Sequence, residues 1–308
     1  LMLFFLLSAH HLFAQEFFWA DPSPLLDRNV RFPEVVTGGD NLAVIYQEFT
    51  RQTEDVGTVS ISLYARNKSG QWYQNRQFLG PLKFTGREAK IFTAAMDNNG
   101  VLYVALSNTG KEITIYNSQD GGRSFNTLGR VDSESTVVSP RLNITSQGEL
   151  LLFITQEYQP GGQGVISSAI FYSYSSNQGK QWSSFSVLAP EPELSQNFLP
   201  HHTAFQGKEY VAFQVLDFTE RPANFQLYMK ISGDGGRTWG NPIPLTDFQD
   251  LNAQAGTSSK AYDNQRPYLA SLNGSLVMVW ERRLRRNNPL VYFARISPEG
   301  SLLGTPER

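Results

Sequence analysis

The chain has 308 residues, 40% apolar and 13% aromatic, enough to bury a large core. Its 26 basic and 28 acidic residues leave a net charge of −2, so no general attraction draws it to nucleic acid or to an anionic membrane. The absence of cysteine excludes a disulfide framework and a thiolate metal site.

The chain opens with an apolar run, Leu1-Met-Leu-Phe-Phe-Leu-Leu7, followed by Ser8-Ala9-His-His-Leu-Phe-Ala14-Gln15. A membrane helix needs about 20 apolar residues, and this run is shorter. It matches the hydrophobic region and small-residue cleavage site of a secretory signal, so residues 1–14 are expected to be a signal peptide cut after Ala14. The usual basic start is missing, and we expect a few residues to precede Leu1. Export without cysteine predicts a bacterial periplasmic or secreted protein with no membrane span after cleavage.

Residues 15–308 are expected to form one domain built from a recurring pattern: a strand, a Gly-containing turn and a more apolar strand. It runs from Phe32-Pro33-Glu34-Val35-Val36 to Leu42-Ala-Val-Ile-Tyr46, then from Ile91-Phe-Thr-Ala-Ala95 to Val101-Leu-Tyr-Val-Ala105. It returns from Arg141-Leu-Asn-Ile-Thr145 to Leu150-Leu-Leu-Phe-Ile154 and from His202-Thr-Ala-Phe205 to Tyr210-Val-Ala-Phe213, and lastly from Pro267-Tyr-Leu-Ala270 to Leu276-Val-Met-Val-Trp280. Val, Ile, Tyr and Phe between Gly, Asn, Ser and Pro are strand and hairpin signals. No stretch after the N-terminus sustains a helical period, so the fold class is all-β.

Downstream of three of these pairs lies a second motif: Ser118-Gln-Asp120-Gly-Gly122-Arg-Ser-Phe125, Ser175-Ser-Asn177-Gln-Gly179-Lys-Gln-Trp182 and Ser232-Gly-Asp234-Gly-Gly236-Arg-Thr-Trp239. The serines are 57 residues apart both times, the mark of stacked supersecondary units. Asp120, Asn177 or Asp234 can accept hydrogen bonds from the N–H groups of the turn that follows, glycine supplies positive φ, and the aromatic is placed to fill the gap between sheets. Weaker copies lie at Asn67-Lys-Ser-Gly70-Gln-Trp72 and Ser297-Pro-Glu-Gly300. A strand on each side of the clasp makes four strands per repeat, over approximately 30–80, 88–130, 138–190, 198–246 and 264–303. Four-stranded units repeated radially make a β-propeller.

The pattern S-x-D-x-G-x-x-W resembles the Asp-box, or bacterial neuraminidase repeat, of sialidases and of many non-enzymatic propellers, with Asn177 departing from it. The resemblance implies that each box joins the third and fourth strands of a blade, remote from the ligand site. Sialidases have six blades. Five repeats imply a five-bladed closure or a six-bladed propeller of which the sequence holds part.

In this architecture the loop before the first strand and the loop after the second share one face. The first offers Arg31, Lys90, Arg141, His201 with His202, and Arg266; the second offers Glu48, Asn108, Glu157, Asp217 and Glu281. A polar bowl of this kind could grip an anionic ligand through Arg31, Arg141 and Arg266, with Glu48 and Glu157 beside them and a carboxylate for proton transfer. Equally, each arginine could pair with a neighbouring carboxylate. Val30-Arg31-Phe32-Pro33 resembles the R-I-P motif of sialidases, and the segment Gln47 to Gly57 resembles the one holding their acid/base aspartate. The resemblance implies Arg31 as a carboxylate-binding arginine, Asp55 as acid/base, and a tyrosine nucleophile with a glutamate partner, for which Tyr262, Tyr268 and Tyr292 with Glu281 are candidates.

No metal or cofactor is expected: His10 and His11 fall in the signal, and His201 and His202 point to opposite sides of a strand. The basic run Arg282-Arg283-Leu284-Arg285-Arg286 reads as a solvated loop or as a contact for acidic glycans or a partner. The reading is a secreted, sialidase-like propeller that recognises an extracellular ligand, a glycan before others. The alternatives are an exo-α-sialidase or related glycoside hydrolase, and a non-enzymatic scaffold or assembly factor with a protein partner.

Overall fold

A computed structural model of the chain describes residues 30–85, 89–107, 110–134, 137–158, 166–189, 195–218, 220, 223–248, 257–284 and 288–308. The expected signal peptide, Asn108, Arg285 and Arg286 lie outside the described residues.

Among these residues the chain forms a β-propeller of five four-stranded antiparallel units in sequence order, the third and fourth joined into one eight-stranded sheet by a parallel contact between Ser168 and Gln196. Blade 1 comprises β1 (Val30–Gly38), β2 (Asn41–Arg51), β3 (Val56–Arg66) and β4 (Trp72–Thr85). Blade 2 comprises β5 (Phe92–Met96), β6 (Leu102–Leu106), β7 (Glu112–Ser118) and β8 (Asn126–Asp132). Blade 3 holds β9 (Val137–Ile144), β10 (Leu150–Tyr158), β11 (Ser167–Ser175) and β12 (Ser186–Ala189). Blade 4 holds β13 (Ser195–Phe205), β14 (Lys208–Asp217), β15 (Phe225–Ser232) and β16 (Ile243–Pro244), and blade 5 holds β17 (Tyr262–Leu272), β18 (Ser275–Leu284), β19 (Leu290–Ile296) and β20 (Leu302–Glu307). One 3-10 turn, Ser259–Ala261, precedes β17. Among the described residues no helix is long and apolar enough to cross a membrane.

Side chains alternate across each strand, so neighbouring residues of one strand serve different junctions. Leu152 joins Ile113 and Ile115 in the core between blades 2 and 3, whereas Leu151 and Phe153 join Val211 and Phe213 between blades 3 and 4. Ile45 and Leu63 meet Phe92 and Leu102 between blades 1 and 2, and Leu227 and Met229 meet Met278 and Trp280 between blades 4 and 5. Burial on both faces explains why β6 and the start of β10 read as continuous apolar runs rather than alternating ones.

The three clasps join the third and fourth strands of blades 2, 3 and 4. Asp120 Oδ1 accepts from Arg123 N (3.0 Å) and Ser124 N (2.9 Å), Oδ2 accepts from Ser124 Oγ (2.6 Å), and Ser118 Oγ accepts from Gly122 N (2.7 Å). Asp234 repeats the pattern with Arg237 N, Thr238 N and Thr238 Oγ1. Asn177 keeps the bond from Gln181 N (2.9 Å), while Ser175 Oγ accepts from Gly179 N (2.9 Å). Burial opposes ionisation of Asp120 and Asp234, but the hydroxyl and N–H donors prevail and hold both carboxyls at about 2.

Each clasp closes on the blade before it. Phe125 of blade 2 stacks on Phe78 of blade 1 with ring centroids 4.1 Å apart, and Trp239 of blade 4 meets Phe153 of blade 3 at 5.9 Å. Trp182 packs into the junction between blades 2 and 3. Glycine is required at Gly122: φ is +100°, and a Cβ there would stand 2.5 Å from Leu63 of blade 1. Arg123 lies over the Tyr73 ring at 4.3 Å, and Arg237 pairs with Glu149 at 2.6 Å, both across the same junctions. In the weaker first copy Asn67 Oδ1 still accepts from Ser69 N and Gln71 N, but Trp72 is exposed and stacks on Tyr64 of its own blade at 4.8 Å.

Candidate functional site

Four of the five inner strands carry the same two-against-one bulge. Residues 32–33 face one residue of β2, 139–140 one of β10, 199–200 one of β14, and 266–267 one of β18. In each the first residue takes positive φ (Phe32 52°, Ser139 50°, Leu199 51°, Arg266 54°) and the second is proline. A bulge leaves its extra residue out of the ladder, where proline's missing N–H costs no bond. The non-glycine positive φ is uncommon for residues such as Phe and Leu, and bulges concentrate next to functional sites.

The bulge defines a column one residue after the proline: Glu34, Arg141, His201 and Tyr268, with Thr93 in the matching register of blade 2. Arg31 and Arg266 therefore do not share a column with Arg141. The recurring prolines carried this alignment in the sequence, and they place His201 and Tyr268 beside Arg141.

Glu34, Arg141, His201 and Tyr268 of this column line a cavity of about 1000 Å³ bounded by all five inner strands and by Lys90, while Thr93 is fully buried. Around its wall the side chains bridge adjacent blades. Thr93 Oγ1 donates to Glu34 Oε1 (3.0 Å) and accepts from Leu142 N (3.1 Å), and Lys90 Nζ pairs with Glu34 at 2.8 Å. His201 Nδ1 accepts from Leu269 N (3.1 Å), which leaves Nε2 to carry the proton of the neutral ring. The His201 and Tyr268 ring centroids are 3.9 Å apart, and Tyr268 is 56% exposed. Arg141 is half-buried, and no hydrogen bond or ion pair engages its guanidinium among the described residues.

The charges are close enough to feel one another. Burial lowers the Lys90 pKa first, Glu34 opposes that, and Arg141 lowers it further. Burial also holds His201 down to about 4, with Arg141 and then His202 adding to the effect. His202 faces the other way, its Nε2 2.8 Å from Glu209 Oε2 in the junction with blade 3, where Glu209 Oε1 also accepts from Ser146.

The remaining expected site residues are dispersed. Arg266 lines the cavity, but its Nη1 donates to both carboxylate oxygens of Glu281 at 2.7 and 2.6 Å, so Glu281 serves as its ion-pair partner. Arg31 is exposed on β1 and does not line the cavity. Tyr292 is corrected outright: at 3% exposure it is packed with Trp280 in the core between blades 4 and 5, where no substrate reaches it. Asp55 is exposed in the turn between β2 and β3. The carboxylates do not form one ring either. From Ile45, Phe153, Ala212 and Val279, which pair with the column, Glu48 stands three residues on, Glu157 four, Asp217 five and Glu281 two, so alternation sends them to different faces. Glu48 lies 3.7 Å from Arg76, and Glu157 is exposed at the end of β10. Arg282 departs from the solvated-loop reading: it is 1% exposed, lies 3.8 Å over the Tyr262 ring and donates to Asn264 Oδ1 at 3.0 Å. Arg283 pairs with Asp263 at 2.8 Å. No group of three metal-ligating side chains occurs among the described residues.

No family model and no curated protein matches the chain. The fold is similar to that of a protein of unknown function from Dyadobacter fermentans, with a TM-score of 0.59, 11% identity, and 89% of this chain and 81% of that chain covered. A thermostable family-43 glycoside hydrolase aligns at a TM-score of 0.48 and 13% identity over 90% of this chain and 93% of that one. An α-L-arabinofuranosidase from Fusarium graminearum aligns at 0.47 and 15% identity over 69% and 67%.

Proposed function

We propose that this chain is an exported, glycan-binding β-propeller whose ligand enters the cavity among the five inner strands. The observation that carries the reading is Tyr268, an aromatic ring 56% exposed on the wall of a cavity of about 1000 Å³ and braced from behind by His201. Ligand sites join apolar or aromatic surface to a few fixed polar groups in a concavity of this size. A sugar ring offers an apolar C–H face to an aromatic plane and hydroxyls to groups around it, and His201 Nε2, Thr203 and Arg141 stand on the same wall.

Binding is favoured over hydrolysis because Glu34 is the one carboxylate among the described residues of the cavity wall, and it is engaged by Lys90 and Thr93. Most glycosidases need two carboxyl groups about 5–10 Å apart across the scissile bond. Of the tyrosines a sialidase could use, Tyr262 and Tyr292 are buried, and Tyr268 stands on the wall while the expected partner Glu281 is held by Arg266. The test is a glycan array probed with the mature protein and with Tyr268→Ala, alongside incubation with a 4-methylumbelliferyl sialoside. We expect retention of a subset of glycans, at least tenfold weaker retention for the variant, and no fluorophore release. Release that Asp55→Ala abolishes would replace this reading with the hydrolase. An array without a retained sugar would favour the scaffold, with its protein partner.

A further inference from the structure

The cavity wall is not electrically uniform. Blade 1 contributes Glu34 to it, blade 3 Arg141, blade 4 His201 and blade 5 Tyr268, while the matching residue of blade 2, Thr93, is fully buried. Lys90, from the residues before β5, comes alongside Glu34 and close enough to Arg141 to be depressed by it. The negative charge of Glu34 is engaged by Lys90 Nζ at 2.8 Å and by Thr93 Oγ1 at 3.0 Å. His201 is fixed as a donor through Nε2 by the bond that Leu269 N makes to Nδ1. What remains is the Arg141 guanidinium, half-buried between blades 2 and 4 and facing a concavity without a counterion among the described residues.

A half-buried guanidinium gives up part of its hydration, a cost that a counterion offsets. Arg266, the other arginine on the cavity wall, meets its share of that cost by pairing with Glu281 at 2.6 Å. Of the two arginines on the cavity wall, Arg141 alone is without a counterion among the described residues, and that contrast is informative about what the cavity receives. A guanidinium presents two parallel N–H donors that match the two oxygens of a carboxylate. Tyr268, in contact with His201 and 56% exposed, lines the same cavity.

We propose that the ligand is an acidic glycan, with the carboxylate of a uronic-acid unit on Arg141 and an adjoining sugar face on Tyr268. This rests on the glycan-binding reading above and narrows it to one substrate class. Arg141 supplies the charge recognition, His201 Nε2 donates to a ring or carboxylate oxygen, and Tyr268 supplies the stacking surface. Lys90 is already committed to Glu34 and contributes to the field more than to a direct contact.

The test uses the whole exported chain and four immobilised probes: pectate, alginate, dextran sulfate, and fully methyl-esterified pectin, in which the carboxylate charge is removed and the sugar sequence kept. We expect capture by at least one of the two uronate polymers and, for pectate, at least tenfold weaker capture of its ester. Arg141→Gln should lose the acidic probe by at least tenfold with unchanged thermal unfolding, Arg141→Lys should recover part of it, and Tyr268→Ala should weaken both forms. Equal capture of pectate and its ester, with Arg141→Gln silent, would overturn the acidic assignment while leaving a neutral-glycan site standing. Capture of dextran sulfate as strong as that of the uronates would overturn the carboxylate assignment in favour of a general anion site. A wider glycan array that retains no sugar at all would overturn the glycan-binding reading itself, and this inference with it.

Discussion

His201 accepts the Leu269 N–H at Nδ1 and sits against Arg141, and burial followed by these charges keeps its pKa at about 4. In the unfolded chain the same ring titrates near 6.5. Between those values the unfolded state binds a proton that the folded state refuses, so stability is complete above about pH 6.5 and falls as the pH drops towards 4. The full loss is up to about 3 kcal/mol. His201→Asn keeps an acceptor for Leu269 N and cannot titrate, so its urea midpoint should fall less between pH 7 and pH 4.5 than that of the native chain. Equal falls in the two proteins would show that other groups set the acid limit. The residue scale is also where sequence reasoning was least able to see. Arg266 and Arg141 carry the same charge near the same strand start, yet one is neutralised by Glu281 and the other faces the cavity. Their offsets from proline, Arg266 one residue before it and Arg141 one after, could be counted in the sequence, but which of them Glu281 would neutralise could not.

The clasps were readable because everything they need is local. Asp120, its donors at Arg123 and Ser124, and the glycine that turns the chain fall within a few residues, and the hydrogen bonds form as the residue types require. Which blade the aromatic would reach depended on packing between distant segments and was not legible. Asp120→Asn keeps one acceptor oxygen and surrenders the charge, and should cost about 1 kcal/mol at neutral pH, a modest figure because the group is exposed. The sign of the pH effect follows from a depressed pKa. The native carboxylate contributes above about pH 4, and that contribution drains as the pH falls towards 2, so the gap between variant and native protein should narrow. Thermal unfolding at pH 7 and pH 3 measures it, and a gap unchanged at pH 3 would mean that the ionised form is not what the clasp uses.

At the scale of the molecule, cohesion is distributed over junctions, each with its own apolar cluster. Gly122→Ala strains the junction between blades 1 and 2, and Trp239→Ala empties part of the one between blades 3 and 4. The tryptophan is partly buried, so the change should cost about 2–3 kcal/mol, below the range for a fully buried aromatic. The two share no partner, so the double variant should lose the sum of the single losses to within about 0.5 kcal/mol in urea titration. A larger discrepancy would mean that the blades respond as one body. Repetition made the architecture visible in the sequence, since a 57-residue step can be counted without knowing any contact. The cavity was harder to foresee because its wall is assembled from all five inner strands, which belong together only once they converge.

The direction in which the clasps lean has a bearing on biogenesis. Phe125, Trp182 and Trp239 each reach back to the blade already made, and so do Arg123 and Arg237. A nascent chain therefore meets, at every repeat, a finished surface waiting upstream rather than one still to be translated. Assembly can proceed like a row of bricks laid from one end, with no blade having to hold an exposed tryptophan in reserve for a neighbour not yet born.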